Sequence, residues 1–204
     1  GLVFLSSPCD MDAIASLEKI NVQLHKVASF DLPDLDLIEE IAKTHKPIIL
    51  STGMANHSEI KRAIDRCNSV KNNQIILLQC TSIYPSPSHL VNLKAIQKMK
   101  NEYGLIIGYS DHTLGDEAAV ASVSAGAAVI EKHFTIDRSL PGPDHSFAIE
   151  PVELSEMVNK IRSAEEFLGN GKKDGPALEE MDMYAKVRRS IHASVDIKKN
   201  EKIS

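Results

Sequence analysis

The chain has 204 residues, 43% of them hydrophobic, which suffices for one sizeable core. Its formal net charge of −5, with Lys and Arg interspersed among Asp and Glu, supplies neither a basic face for nucleic acid nor a polybasic patch for a membrane. No apolar stretch nears the roughly 20 residues that span a bilayer, and Cys9, Cys67 and Cys80 form no Cys-x-x-Cys pair, so they read as reduced thiols of a cytoplasmic protein.

In chain order, short β-type runs are predicted at residues 2–7 (LVFLSS), 26–29 (KVAS), 47–52 (PIILST), 75–82 (IILLQCTS), 105–110 (LIIGYS) and 129–135 (VIEKHFT). Each is apolar on both faces and separated from the next by about one βα unit, the pattern of a parallel sheet covered by helices. Between them lie amphipathic stretches. Met11, Ile14, Leu17 and Ile20 follow the cap candidate Asp10; Ile60, Ala63, Ile64 and Cys67 follow Ser58; Leu93, Ile96 and Met99 repeat the period. The small-residue stretch GDEAAVASVSAGAAV implies close helix–sheet contact, and a helix opening at Pro151 should stop at Gly169.

Such successive βα units fit either a doubly wound sheet or a (β/α)8 barrel. A barrel takes about 250 residues, so the expectation is a barrel truncated to about six units, over residues 1–170. Residues 171–187 read as a polar, Gly-rich linker, and 188–204 as a strand and turn opening a second domain.

In α/β folds the ligand site lies at the carboxyl ends of the strands, and polar residues collect there: Ser6, Ser7, Lys26, Ser29, Asp31, Ser51, Thr52, Thr81, Ser82, Tyr84, Ser110, Asp111, His112, Glu131 and His133, then Asp144 in PGPDH. His112 and His133 end successive runs. On neighbouring strands they would share one mouth and suit a divalent metal such as Mn²⁺, Co²⁺ or Zn²⁺, although each can equally cap nearby backbone. Lys26, inside an apolar run, needs an anion: a phosphate or carboxylate, or Asp31 as a rim salt bridge; it can also serve as a Schiff-base amine. Ser29, Ser51, Ser82 and Ser110 can ring a phosphate or serve as turn residues. Tyr84, in a loop held by two prolines, can bind a sugar hydroxyl or simply pack.

Taken together and in this order, KVASFD, PIILSTGM, QCTSIYPSP, GYSDHTLG, VIEKHFTIDRSLPGPDHSFAIEP and RRSIHASVDIKKNEK resemble the sialic acid synthase family of nonulosonic acid synthases. The resemblance implies a (β/α)8 barrel followed by a small domain similar to type III antifreeze protein, in a domain-swapped homodimer. Residues 188–204 would then be the first strand of that small domain. It implies a metal-dependent condensation of phosphoenolpyruvate with an N-acetylated hexosamine, N-acetylmannosamine or a 2,4-diacetamido analogue, giving a nonulosonic acid and phosphate for surface polysaccharide. By the same resemblance His112 and His133 hold the metal, Mn²⁺ first and Mg²⁺ or Co²⁺ next. Lys26, Ser29, Ser51, Ser82 and Ser110 match phosphoenolpyruvate-binding positions, and Asp31, Tyr84 and Asp144 sugar-binding ones; Lys26, Tyr84, His112 and His133 are the catalytic candidates. Ser82 stands where sialic acid synthases carry Asn, and KVASFD looks more like the pseudaminic acid or spore-coat branch. The acidic residue of the family's first strand, the lysine of its second and the arginine of its small domain have no counterpart, so this chain alone is expected to be inactive. Two other readings remain: a Schiff-base aldolase acting through Lys26, and a non-catalytic sugar-binding barrel.

Overall fold

A computed structural model describes residues 1–202. The chain divides into two compact units, one over Gly1–Leu168 and a second from Gly169. In the first unit the strands are β1 (His25–Val27), β2 (Ile48–Ser51), β3 (Ile75–Cys80), β4 (Ile106–Asp111) and β5 (Ile130–Lys132). All pair in parallel and lie side by side in chain order. A doubly wound sheet reverses its strand order at a switch point; this one never does. It is a five-stranded TIM-barrel-like half-barrel.

The helices are α1 (Met11–Lys19), α2 (Leu35–Lys43), α3 (His57–Ser69), α4 (Lys94–Tyr103), α5 (Glu117–Ser124) and α6 (Pro151–Leu168). Asp10 caps α1 as expected, its carboxylate accepting from the Ala13 N–H at 2.7 Å. The cap of α3 is Asn56, not Ser58: Asn56 accepts from the Glu59 N–H while Glu59 reaches back to the Asn56 N–H, a reciprocal pair that Ser58, two residues later, cannot make. Helix α6 ends at Gly169 in the left-handed conformation (φ +56°), as the pattern implied. Helix α2, capped by Asp34, had not been singled out.

Strand parity divides the sheet into two faces. Val27, Leu50, Leu77, Ile107 and Tyr109 point toward the helices and merge with Ile14, Ile38, Ile41, Ile60, Ala63 and Ile96 into one buried core. The alternate positions, in register across the sheet, place Lys26, Ile49, Leu78, Gly108, Ser110 and Glu131 on the other, inner face. On the helix side, α5 comes in close: Ala119 and Ser122 are fully buried, the contact its small residues implied.

Two predicted strands are not formed. Residues 2–7 lie extended beside β1 but give it one backbone bond, from the Lys26 N–H to the Ser6 carbonyl at 3.3 Å, and Leu2 and Phe4 are exposed. One bond makes no ladder. In the second unit, residues 188–202 carry no strand, since no neighbouring segment pairs with them; residues 203 and 204 lie outside the described residues. The expected linker holds instead a short helix, α7 (Met181–Val187). Among the described residues no helix is long and apolar enough to cross a membrane.

At Gly108 β4 passes close to its neighbours: a Cβ there would meet Leu78 Cδ2 and the Val129 carbonyl oxygen, each at 2.5 Å. Because a carbonyl of the adjoining strand cannot yield cheaply, Gly108→Ala is expected to cost about 1–3 kcal/mol in urea unfolding. An unchanged midpoint would show that the sheet relaxes around the added methyl.

Candidate active site

The curl of the sheet builds the site. β1 and β5 are its two edges, yet the Lys26 ammonium on one lies 3.6 Å from the Glu131 carboxylate on the other. Lys26 also donates to the Ser51 hydroxyl at 2.8 Å and to the Val27 carbonyl at 3.1 Å, and Ser110 donates to Glu131 at 2.7 Å. A continuous polar chain thus runs Ser51–Lys26–Glu131–Ser110 over the inner face, with Lys26 only 6% exposed. The anion that Lys26 meets is Glu131; the salt bridge to Asp31 considered from sequence is not the one formed.

Above this chain stand the two histidines, their rings 5.3 Å apart and steeply inclined to each other. His112 Nδ1 lies 2.8 Å from the Thr81 carbonyl oxygen, which can only accept. A proton therefore sits on Nδ1, while Nε2 lies 3.5 Å from the Ser110 hydroxyl. His133 turns its Nδ1 toward the Asp144 carboxylate at 3.5 Å. Tyr84 packs against both rings, at 4.2 Å from His112 and 5.7 Å from His133, and Phe147 closes the far side 5.0 Å from His133. The loop carrying Tyr84 is tied to the end of β4 by the Ser86 N–H, which donates to the His112 carbonyl at 2.8 Å.

The remaining candidates are distributed around this centre. Ser29 accepts from the Gly53 N–H at 3.0 Å and donates to the Cys80 sulfur at 3.6 Å, with Ser82 4.0 Å from the same sulfur. A Cβ on Gly53 would collide with the Ser82 and Ser29 hydroxyls and displace both from their places beside Cys80. Asp31 sits half-buried on the turn after β1, with no side-chain bond to the site among the described residues. Asp111, counted from sequence among the strand-end polar groups, faces the helices instead, with Lys132. Cys80 and Phe147 were not anticipated, and Glu131 was noticed only as polar. Parity holds the signal that finds two of them: Cys80 with Ser82, and Glu131 with His133, are two apart and share a face.

Burial opposes a charge on His112, but the Cys80 sulfur, the Thr81 carbonyl and Glu131 outweigh it and raise the imidazole's pKa. For His133 burial prevails, helped by the neighbouring His112, and the pKa falls. Cys80 is pulled below the ordinary thiol range, since its bonds from His112 and Ser29 overcome the opposing effect of burial. Burial lifts the Tyr84 phenol, reinforced by Cys80, Asp144 and Glu131. The donor chemistry fits a divalent cation through the two imidazoles. Among the described residues no cluster of three or more His, Cys, Asp or Glu side chains is arranged to hold a metal.

The strand carboxyl ends, here lined by a buried ammonium, hydroxyls and paired imidazoles, are where barrels of parallel strands place their ligand sites. The sequence matches the NeuB family over residues 1–173, and the chain belongs to that family. It is 43% identical to an N,N'-diacetyllegionaminic acid synthase of Campylobacter jejuni, over 98% of this chain and 60% of that protein. It is 38% identical to a pseudaminic acid synthase of Helicobacter pylori, over 100% of this chain and 59% of that one. The crystal structure of an N-acetylneuraminic acid synthetase from Leptospira borgpetersenii superposes with a TM-score of 0.84 at 37% identity, covering 93% of this chain and 67% of that one. The chain spans about 60% of the length of the curated relatives it matches.

The thiols offer a direct check on this geometry. Cys67, fully buried, has its thiol pushed up to about 11 by burial, whereas Cys9 is exposed. A short iodoacetamide pulse near pH 8 should label Cys9 first, Cys80 more slowly and Cys67 only on unfolding, as read by peptide mass mapping. Equal labelling of Cys67 and Cys80 would contradict the placement of Cys80 at the mouth.

Proposed function

We propose that this chain is the larger part of a nonulosonic acid synthase, which condenses phosphoenolpyruvate with an N-acetylated hexosamine and releases phosphate. The acceptor class is N-acetylmannosamine or a 2,4-diacetamido hexose. The observation that carries the reading is the pairing of His112 and His133 over the buried Lys26. Membership of a family whose relatives include legionaminic and pseudaminic acid synthases supports it.

Lys26, Ser29, Ser51, Ser82 and Ser110 bind the phosphate and carboxylate of phosphoenolpyruvate, where a desolvated ammonium and hydroxyl donors are worth more than in water. Tyr84, Asp31 and Asp144 bind the hydroxyls of the open-chain sugar. His112 and His133 would hold a divalent cation, Mn²⁺ first and Mg²⁺ or Co²⁺ as alternatives. Bound there, the cation supplies Lewis-acid polarisation of the acceptor carbonyl. The enol C3 forms its bond to the sugar C1, whose oxygen takes up a proton. Water adds at the resulting C2 cation and gives one proton to Glu131; the C2–O bond to phosphate then breaks as the new C2 hydroxyl passes its proton to the departing phosphate, leaving the 2-keto acid. Phe147 and Tyr84 shield the mouth from bulk water. The complete barrel, the domain-swapped dimer and the cytoplasmic setting belong to this reading.

The Schiff-base alternative is less well served, because Lys26 is engaged as the ion-pair partner of Glu131 and as a donor to Val27 and Ser51, the contacts of an ammonium and not of a nucleophilic amine.

With the full-length protein, sugar-dependent phosphate release is expected to fall by about 100-fold or more on EDTA treatment or in His112→Ala, and to return with Mn²⁺ in the wild type only. Release that survives EDTA, with borohydride trapping at Lys26, would transfer the chemistry to the amine. Binding of sugar without any release would leave a sugar-binding barrel.

A further inference from the structure

Asp111 and Lys132 are register partners on β4 and β5 and face away from the mouth, into the helix layer. The Lys132 ammonium donates to Asp111 Oδ2 at 2.7 Å with both side chains almost wholly buried, at 4% and 0% exposure. A buried ion pair is a poor source of stability, and an apolar pair of similar volume would pack the layer as well. Its other bonds show what an apolar pair would lack. Asp111 Oδ1 accepts from the Thr113 N–H at 2.9 Å, the Thr113 hydroxyl at 2.8 Å and the Tyr109 hydroxyl at 3.2 Å. Lys132 donates in addition to the Thr113 carbonyl at 2.8 Å.

These contacts bracket one residue. Asp111 precedes His112 and Thr113 follows it, and both are gripped from behind. The β4–β5 ladder ends at the Asp111–Lys132 rung, so no backbone pair holds the next residues, His112 and His133, side by side. We propose that the Asp111–Lys132 pair is a positioning device that carries strand register one residue beyond the ladder and sets His112 against His133. Its consequence for metal affinity rests on the reading of the histidines as metal ligands; its consequence for the His112 ring does not.

The test uses the full-length protein with Asp111→Asn/Lys132→Met, which removes the ion pair and the Thr113 carbonyl bond without leaving a lone buried charge. Lys160→Met is the control, as it breaks another 2.7 Å ion pair, to Asp116, away from the mouth. Two quantities are read: the Mn²⁺ dissociation constant, from the spin-resonance signal of free Mn²⁺, and the ¹H–¹⁵N signal of the His112 Nδ1–H in metal-free protein. The double variant is expected to bind Mn²⁺ about 10- to 100-fold more weakly and to lose the protected imidazole signal, while the control keeps both. Lys132→Gln, which retains a donor to Thr113, should recover most of each. A folded double variant with wild-type affinity and imidazole signal overturns the proposal. If wild-type protein binds no Mn²⁺, the metal reading fails, and the imidazole signal alone decides: lost in the variant it supports positioning, retained it overturns it. Should the double variant not fold, Asp111→Asn alone is read by the same two criteria.

Discussion

The contact between Lys26 and Glu131 is possible only if the first and last strands of the sheet face each other across its hollow side. Parallel strands laid down in chain order, with every crossover on one side, twist cumulatively until the sheet curls. Curling carries the edges inward and turns alternate residues into a shared interior. A lysine there loses its hydration and requires a counter-charge, which the opposite edge supplies. The polar chain from Ser51 to Ser110 is the same requirement extended across four of the five strands.

This geometry separates stability from chemistry by parity. Residues facing outward, among them Leu50, Leu77 and Ile107, merge with the helices into the apolar core. Residues facing inward become polar only toward the carboxyl ends, where helices and loops leave the mouth open. Asp111 and Lys132 cross that division: their charges lie in the helix layer, but their bonds act on the main chain around His112. The two histidines also differ in surroundings although they share one space. Both are buried, but His112 bonds to a carbonyl and a thiol that raise its pKa despite burial, whereas burial and the neighbouring imidazole lower that of His133.

Where patterns were local, they were readable. Asp10 as a helix cap, Gly169 as a helix stop and five of the six apolar runs as strands follow from interactions within a few residues. The errors came where a partner was needed. Residues 2–7 have the composition of a strand but form one backbone bond, and 188–202 have no neighbour to pair with. Ser58 was a plausible cap until Asn56 and Glu59 were seen to satisfy each other. Short-range propensity says what a segment can become; a ladder or a reciprocal cap exists only when its second half arrives.

By itself the sequence determined the parallel α/β architecture, because its runs and amphipathic periods are written residue by residue. It also placed Lys26 inside an apolar strand and His112 and His133 at strand ends, and its motifs pointed to the family to which the chain belongs. Only the tertiary structure decided that Lys26 meets Glu131 rather than Asp31, that Cys80 and Phe147 border the histidines, and that Asp111 turns away from the mouth. Each of these depends on sheet curvature and strand register, which sum small twists over many residues and leave no trace in any one stretch of chain.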